Sequence, residues 1–181
     1  MNASIPLNRR TIALVGLMGV GKSTIGRRLA LALGMPFRDA DAEIEAAAGR
    51  SVSEIFESYG EADFRDGERR VIARLLDEPP HVLATGGGAL THPETRDLIR
   101  AKAVSIWLKT DLEILARRLG RRDHRPLLIG KDPLTVLREQ AAVRDPFFAS
   151  ADIVVETGDT AHQTTVDAVV KALKFHLATA S

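Results

Sequence analysis

The chain has 181 residues and 45% of them are hydrophobic, which suffices for one well-packed core and most simply a single domain over residues 1–181. Its 25 basic and 24 acidic residues leave a formal net charge of +1, so charge gives no reason to expect a nucleic-acid or membrane partner. The absence of cysteine excludes disulfides, a thiol nucleophile and zinc–thiolate sites. No apolar run is long enough to cross a bilayer, and we expect a cytoplasmic protein.

The first predicted elements are a buried strand, a glycine-rich loop and a helix. Thr11–Val15 is a short run of strand-forming residues, and residues 16–23, GLMGVGKS, fit the phosphate-loop pattern G-x-x-x-x-G-K-[ST] in full. Apolar positions at helical spacing continue to Leu33, and Gly34 ends the helix. Glycines allow backbone N–H groups to point at phosphate oxygens, and the helix dipole adds positive charge there. The pattern predicts a site for a nucleoside triphosphate with Mg²⁺.

The end of this loop carries two side chains with expected roles. Lys22 would place a positive charge on the β- and γ-phosphates, and the Ser23 hydroxyl is the expected Mg²⁺ ligand. The alternative is a glycine-rich turn that merely joins a strand to a helix. The complete motif with the correct flanking elements argues against that alternative.

Two acidic residues, Asp39 and Asp41, lie at the carboxyl end of the second predicted strand, residues 35–39. Most phosphate-loop enzymes hold Mg²⁺ or its water with an acidic residue on a second strand, and the best candidate strand, residues 82–85, ends in Thr-Gly-Gly-Gly without a carboxylate. We therefore predict that Asp39 supplies the missing acid and that Asp41 orients the acceptor hydroxyl or takes its proton. The alternative is a helix N-cap, for which Asp41 is a candidate, with a solvated neighbour.

Three helices are predicted between the second and third strands. The first begins at residues 41–45 with an acidic first turn. Residues 52–59 form a short second helix, capped by Ser51 or Ser53 and stopped by Gly60, and residues 61–76 form a longer third helix. The inward-facing side chains of the third helix are Phe64, Val71, Ile72 and Leu75.

Three consecutive glycines, Gly86, Gly87 and Gly88, follow the third predicted strand, residues 81–85. The simpler interpretation is a tight turn. Three glycines at a strand end also indicate a backbone that lies flush against a ligand and offers N–H groups to it.

The rest of the chain alternates between helices and strands. The predicted elements are a helix over residues 93–100, a strand over 103–108, a helix over 111–119, a helix over 133–144, a strand over 153–155 and a helix over 160–177. This alternation predicts an α/β fold with a parallel sheet, helices on both faces and ligands beyond the carboxyl ends of the strands. Trp107, Tyr59 and Phe56 are predicted as core side chains, and the five histidines are given no role.

Arginines in two regions are candidates for binding anions. Residues 120–132 are polar and basic without periodicity, which predicts a mobile lid that brings an arginine, best Arg125, onto the transferring phosphate. A solvated basic loop is the alternative. Arg65 and Arg144 would each, alone, be surface residues, whereas facing one pocket they would grip the carboxylate of an anionic small substrate.

Several of these segments together resemble the shikimate kinase family. They are GLMGVGKSTIGRxLA, FxDADxEIE, SVSEIF followed by GE and FR, GGGA and RPLL, in this order from about residue 11 to residue 152. The phosphate loop alone is shared by many nucleotide-binding enzymes, whereas the ordered set is specific. The resemblance implies a P-loop NTPase of the nucleoside-monophosphate-kinase-like type, with three layers, a central five-stranded parallel sheet and a mobile lid over about residues 119–131.

The resemblance also implies an activity, the ATP-dependent phosphorylation of the 3-hydroxyl of shikimate in the chorismate route to aromatic amino acids, with Mg²⁺ as cofactor. By this resemblance the ATP-binding residues are Gly19, Val20, Gly21, Lys22, Ser23, Thr24, Arg118 and Arg125, and the metal residues are Ser23 and Asp39. The catalytic residues are Lys22, Asp41 and Arg125. The shikimate-binding residues are Asp41, Arg65, Gly86, Gly87, Gly88 and Arg144. The first two lie in a substrate-binding region over about residues 39–66. We expect the enzyme to act as a monomer.

One segment departs from the family pattern, and two other functions stay open. Family members often place a basic or proline-containing stretch beside the adenine, whereas residues 156–160 read ETGDT. A kinase for another polyol acid such as gluconate is one alternative, although it would not be expected to combine FxDxD, three glycines and the two arginines. A nucleotide-binding module that senses ATP is the other, although it need not keep a complete set of phosphate-transfer residues.

Overall fold

The computed structural model describes residue 7 and residues 9–121 and 130–180. Its centre is a five-stranded parallel sheet with the strand order β2-β3-β1-β4-β5. The strands are β1 Thr11–Val15, β2 Phe37–Asp39, β3 Val82–Ala84, β4 Ala103–Thr110 and β5 Ile153–Thr157. The predicted α/β fold with a central parallel sheet is confirmed.

Helices cover both faces of this sheet. In the described part of the chain they are α1 Lys22–Leu33, α2 Ala40–Ala48, α3 Val52–Leu76, α4 Pro93–Lys102, α5 Leu112–Gly120, α6 Pro133–Phe148 and α7 His162–Thr179. The crossover through α1 runs from β1 towards the β2 edge, and the crossover through α4 runs from β3 towards the β5 edge. Because crossovers are right-handed, connections that run in opposite directions lie on opposite faces, which gives three layers.

The register of the sheet brings two loops side by side. Leu14 of β1 pairs with Ala84 of β3 on one side and with Ile106 of β4 on the other, and Asp39 of β2 also pairs with Ala84. The carboxyl ends of β1, β2 and β3 are therefore level. The phosphate loop and the glycine loop (residues 86–88) both begin at the carboxyl end of the sheet, and Asp39 lies at the same end.

The core lies between the sheet and its helices, and every residue of β1 is buried. A second, smaller cluster consists of Ile44 of α2 with Ile55 and Phe64 of α3. This cluster anchors the α2–α3 region, which contains Asp41 and Arg65, two of the predicted substrate-binding residues. Within the described ranges, none of the helices has the length and apolar character required of a membrane span.

The two helices predicted on either side of Gly60 are present, and they follow one another directly within the range called α3, with a kink at Gly60 between them. Gly60 has φ 81° and ψ 176°, which is not helical, so the predicted break is present as a change of direction. Ser51 is the N-cap, and it forms a capping box in which its hydroxyl accepts from the Glu54 N–H while the Glu54 carboxylate accepts from the Ser51 N–H. Of the two serines predicted as possible N-caps, Ser51 and Ser53, the structure therefore shows Ser51 as the cap.

The structure differs from the predictions in several details. Strand β2 begins at Phe37 and not at residue 35, because the Met35 N–H donates to the Ala30 carbonyl and completes the end of α1. Helix α6 continues past Arg144 to Phe148 with Pro146 inside its last turns. Tyr59 is 55% exposed and is not a core residue, since it lies beside the kink with its ring facing the Arg50 guanidinium. Trp107 is buried, as predicted.

Candidate active site

The phosphate loop joins β1 to α1 and leaves the N-terminus of α1 open. Gly21 is the N-cap of α1 in a left-handed conformation with φ 98°, and it has no side chain that could occupy the first backbone N–H groups. Gly16 lies so close to β4 that a Cβ there would be 2.7 Å from the Leu108 carbonyl oxygen. The loop therefore presents N–H groups and the positive end of a helix dipole, which is the arrangement that binds phosphate.

Lys22 lies across the loop that precedes it. Its Nζ donates to the Gly16 carbonyl oxygen at 2.6 Å and to the Leu17 carbonyl oxygen at 3.0 Å, and the residue is 9% exposed. The ammonium group is thus held at the loop, within the wall of the cavity described below. A phosphate entering the loop would meet this charge without a large movement of the backbone.

Ser23 and Asp39, the two predicted metal residues, are in contact. The Ser23 hydroxyl donates to Asp39 Oδ2 at 2.5 Å. The other oxygen, Oδ1, accepts from the Asp41 N–H at 3.0 Å and from the Ala42 N–H at 3.3 Å, so Asp39 is the N-cap of α2. The suggestion that Asp41 caps this helix is therefore wrong, because Asp39, the last residue of β2, has the extended backbone that an N-cap requires.

A cavity of about 450 Å³ joins these residues. Its wall includes Lys22, Ser23, Asp39 and Asp41, and it extends to the glycine loop through Gly86 and Gly87. Thr85 holds the start of the glycine loop against β1, since its hydroxyl donates to the Leu14 carbonyl oxygen at 2.9 Å. One cavity therefore contains the phosphate loop, both predicted aspartates and part of the glycine loop.

The Asp41 side chain opens onto this cavity. The surrounding protein displaces water from the carboxylate, and this desolvation raises the pKa of Asp41 above the usual range. The negative charge of Asp39 raises that pKa further, and the positive charge of Lys22 opposes the shift. A carboxylate with a raised pKa is a stronger proton acceptor, which is the property expected of a general base.

The glycine loop packs against the charged side chains of three different helices. A Cβ on Gly88 would lie 2.2 Å from Arg65 Nη2 on α3, and a Cβ on Gly87 would lie 3.3 Å from Arg144 Nη1 on α6. A Cβ on Gly86 would lie 3.1 Å from Asp41 Oδ1 on α2. The structure thus brings Arg65, Arg144 and Asp41 to the same three-residue segment, which is the convergence predicted for a substrate site.

The two arginines are close enough to affect each other. Burial lowers the pKa of Arg144, and the nearby positive charge of Arg65 lowers it further. Arg144 Nη1 donates to Gln140 Oε1 at 3.2 Å, one helical turn earlier on α6. Two guanidinium groups beside one glycine-rich backbone form a pocket for an anion, and their planar donor sets suit a carboxylate.

Glu68 belongs to this pocket and was missed by the analysis of the sequence. It is 1% exposed, its Oε1 accepts from Arg65 Nη1 at 2.8 Å, and a Cβ on Gly86 would lie 2.7 Å from its Oε2. Burial raises the pKa of Glu68, and the adjacent Arg65 charge opposes the shift. A signal was present, because Phe64, Glu68 and Ile72 share one face of the helix at intervals of four residues.

Arg118 lies at the opposite end of the cavity. Its Nη2 donates to the Gly158 carbonyl oxygen at 2.7 Å, and Nη1 lies 3.5 Å from the Gly19 carbonyl oxygen. Asp159, Thr160 and His162 share the cavity wall with it. The segment that departs from the family pattern therefore forms part of this wall. Arg125 and the rest of residues 122–129 of the predicted lid lie outside the described residues.

Comparisons with known proteins agree on one family. The family model described as shikimate kinase matches residues 18–174. A curated shikimate kinase of Caulobacter vibrioides is 67% identical over 169 residues, which cover 93% of this chain and 84% of that relative. A solved structure, described as shikimate kinase from Acinetobacter baumannii in complex with shikimate, matches with a TM-score of 0.86 at 37% identity, over 90% of this chain and 91% of that chain.

A gluconokinase from Sinorhizobium meliloti shares the fold at a greater distance. Its structure matches with a TM-score of 0.63 at 21% identity over 92% of both chains, a likeness that extends to the fold alone. The resemblance inferred from the ordered motifs is confirmed by the far higher identity to the shikimate kinases. With a family model that spans residues 18–174 and a relative at 67% identity, the chain belongs to the shikimate kinase family.

Proposed function

We infer that this chain transfers the γ-phosphoryl group of ATP to the 3-hydroxyl of shikimate, giving shikimate 3-phosphate and ADP in aromatic amino acid biosynthesis. The observation that carries this function is the meeting of Arg65, Arg144 and Asp41 at the glycine loop, next to the phosphate loop. A pair of arginines suits the substrate carboxylate, and a carboxylate base beside the nucleotide site suits a hydroxyl acceptor.

Each residue has a defined part in the transfer. Arg65 and Arg144 bind the carboxylate of shikimate, and the backbone of the glycine loop lies against its ring. Asp41 accepts the hydroxyl proton or orients the hydroxyl while its oxygen bonds to the γ-phosphorus and the bond to the β–γ bridging oxygen breaks. Lys22 and the phosphate-loop N–H groups, from Gly19 to Thr24, neutralise the charge on the phosphates.

The residues at the nucleotide end fit Mg²⁺. A hydroxyl and a carboxylate in contact, Ser23 and Asp39, are hard oxygen donors of the kind that hold Mg²⁺ together with water and substrate phosphates. Mg²⁺ is usually held through one or two protein oxygens together with waters and substrate phosphates, so we propose that the ion arrives with the nucleotide. When bound, Mg²⁺ would withdraw charge from the phosphate oxygens.

Other assignments complete the proposal. We place Arg118 against the adenine, as the family resemblance implies; its contacts with the Gly19 and Gly158 carbonyls put it in the wall of the same cavity. Arg125 of the lid, residues 119–131, is proposed to contact the transferring phosphate and exclude water, on the strength of the RPLL motif. The proposal also includes a single kinase domain over residues 1–181, acting as a monomer on small molecules in the cytoplasm, where ATP is available, without nucleic acid or membrane.

A coupled ADP-release assay tests the proposed substrate. The protein is given ATP and Mg²⁺ with shikimate in one arm and with gluconate in the other. We expect ADP formation only with shikimate, because the FxDxD segment, the glycine loop and the two arginines occur together. ADP formation with gluconate alone would favour the polyol-acid kinase, and ATP binding with neither activity would favour the ATP sensor.

The contact between Gly88 and Arg65 gives a second test. In Gly88→Ala the new methyl group would occupy the position of the Arg65 guanidinium, 2.2 Å from Nη2, and would push it out of the pocket. We expect the KM for shikimate to rise about tenfold or more, because a charge-assisted hydrogen bond is lost, while the KM for ATP stays unchanged.

Gly67→Ala is the matched control for this variant. It makes the same chemical change on the helix that carries Arg65, where nothing lies within 4 Å of the new Cβ. It should leave both KM values unchanged and stabilise the protein slightly, by about 0.5–1 kcal/mol. If Gly88→Ala kept the shikimate KM of the wild type, Arg65 would not contribute to substrate binding from its present position.

A further inference from the structure

Arg96, on α4, holds the turn that follows the glycine loop. The turn is a single 3₁₀ segment, Ala89–Thr91. Arg96 Nη1 donates to the Leu90 carbonyl oxygen at 2.7 Å and to the Thr91 carbonyl oxygen at 3.1 Å. Across residues 9–121 and 130–180 no carboxylate lies within ion-pair distance of Arg96. Its guanidinium is therefore used to hold backbone carbonyls and not to form a salt bridge.

The carbonyls that Arg96 holds belong to a chain of hydrogen bonds that includes the glycine loop. The Ala89 N–H donates to the Gly86 carbonyl oxygen at 3.2 Å, and the Thr91 N–H donates to the Gly88 carbonyl oxygen at 3.1 Å. The Thr91 hydroxyl donates to the same Gly88 oxygen at 2.7 Å. A shift of this turn would therefore move Gly88, and with it the surface that faces Arg65.

The same guanidinium also contacts the helix that carries Arg144. Its Cζ lies 4.2 Å from the centroid of the Phe147 ring, within the range of a cation–π interaction. Phe147 follows Arg144 by three residues on α6, so the two side chains lie on neighbouring positions of one helix face. Arg96 thus links the glycine loop to the helix of the second carboxylate-binding arginine.

We propose that Arg96 is a positioning residue for the substrate: it sets the separation between the glycine loop and Arg144, and so the width of the carboxylate pocket. The inference rests on the proposed assignment of that pocket to shikimate. The polar contacts of Arg96 are with the turn after the glycine loop and its ring contact is with α6, so we expect its effect at the shikimate end of the cavity. No part in proton or phosphoryl transfer is assigned to it.

Steady-state kinetics of Arg96→Met test this proposal. Methionine keeps most of the aliphatic stem of arginine but removes the donors and the cation. We expect the KM for shikimate to rise about tenfold, as for a lost charge-assisted contact, with the KM for ATP within about twofold of the wild type. Arg96→Lys keeps a charge and rotatable donors but loses the planar group, so it should recover part of the shikimate affinity.

Arg100→Met is the matched control, since Arg100 lies on the same helix, its side chain is 67% exposed, and it forms an ion pair with Asp97 at 3.7 Å on the surface of that helix. It should leave both KM values unchanged. Phe147→Leu should raise the KM for shikimate as well. The effects of Phe147→Leu and Arg96→Met should be less than additive when combined, because both substitutions remove the same contact between Arg96 and the Phe147 ring. A parallel rise in both KM values in Arg96→Met and Arg96→Lys would reduce Arg96 to a structural role and overturn the proposal.

Hydrogen exchange separates this inference from the proposed substrate. In Arg96→Met the amides of residues 86–91 should exchange faster than in the wild type, while those of the phosphate loop should not, and this result needs no substrate. If the wild type is inactive with shikimate but exchange at residues 86–91 is still faster in Arg96→Met, the proposed substrate is overturned. The positioning of the loop by Arg96 is then kept. Active wild type with unchanged exchange and an unchanged shikimate KM in Arg96→Met would overturn the inference alone.

Discussion

Asp41→Asn is expected to lower kcat for shikimate phosphorylation by about 100- to 10,000-fold, the range typical of a lost general acid or base. Asparagine preserves the size of the side chain but cannot accept the hydroxyl proton. The affinity for ATP should stay close to that of the wild type, because the phosphate loop and the Ser23–Asp39 contact do not depend on Asp41. The measurements are single-turnover kinetics for the chemical step and equilibrium titration for the nucleotide.

The pH dependence of kcat/KM, measured for the wild type and for Asp41→Asn, tests whether Asp41 acts as a base. Asp41 must be ionised to act as a base, so kcat/KM of the wild type should fall as the pH decreases through the pKa of Asp41. That pKa is raised by burial and by Asp39, so the acidic limb should lie above the usual range for an aspartate. The limb should disappear in Asp41→Asn.

Asp63→Asn is the matched control, because it removes a carboxylate from α3 beside the apolar cluster and away from the cavity of the phosphate loop. It should keep the wild-type rate and pH profile. An Asp41→Asn protein with wild-type kcat would remove Asp41 from the mechanism. Loss of activity with an unchanged acidic limb would mean that Asp41 positions the hydroxyl without taking its proton.

Arg144→Ala is expected to weaken shikimate binding by about 1.5–3 kcal/mol, the value of a hydrogen bond to a charged group. This corresponds to a KM for shikimate about 10- to 150-fold higher. The KM for ATP should not change, because Arg144 lies beside Gly87 and donates to Gln140, at the glycine-loop end of the site. Initial rates measured over a grid of both substrates give the two constants separately.

Arg138→Ala provides the comparison on the same helix. Arg138 is exposed and lies outside the cavity, so its removal changes the net charge equally without altering the pocket. Both KM values should remain at the wild-type level. An Arg144→Ala effect on ATP affinity alone would show that this arginine serves the nucleotide and not the carboxylate.

The sequence predicted most reliably what depends on neighbouring residues. The phosphate loop follows from a contiguous motif, and the break at Gly60 follows from the conformational freedom of one glycine. The choice between Asp39 and Asp41 as N-cap was less accessible, because both precede the same helix and only the extended backbone at the end of β2 decides it. Helix periodicity predicted the inward-facing apolar residues of α3. The same periodicity places Glu68 on that face, between Phe64 and Ile72, and so indicates that it is buried.

What depends on distant parts of the chain was not derivable from local pattern. Arg118 and the Gly158 carbonyl lie 40 positions apart, and only the docking of α5 beside the end of β5 brings them together. The convergence of Arg65 and Arg144 on the glycine loop likewise depends on how α3 and α6 pack. For these residues the family resemblance supplied an expectation that propensity and periodicity alone do not provide.

The proximity of the like-charged side chains Arg65 and Arg144 has a consequence for folding. Burial lowers the pKa of Arg144, the nearby charge of Arg65 lowers it further, and Glu61 and Glu68 oppose the shift. The net lowering means that a charged Arg144 in this position disfavours the native state. In the proposed complex the substrate carboxylate would compensate this cost, so we expect saturation with shikimate to add conformational stability through mass action. On this proposal the chain gives up stability at its substrate site for function, and the protein should be most stable when the site is occupied.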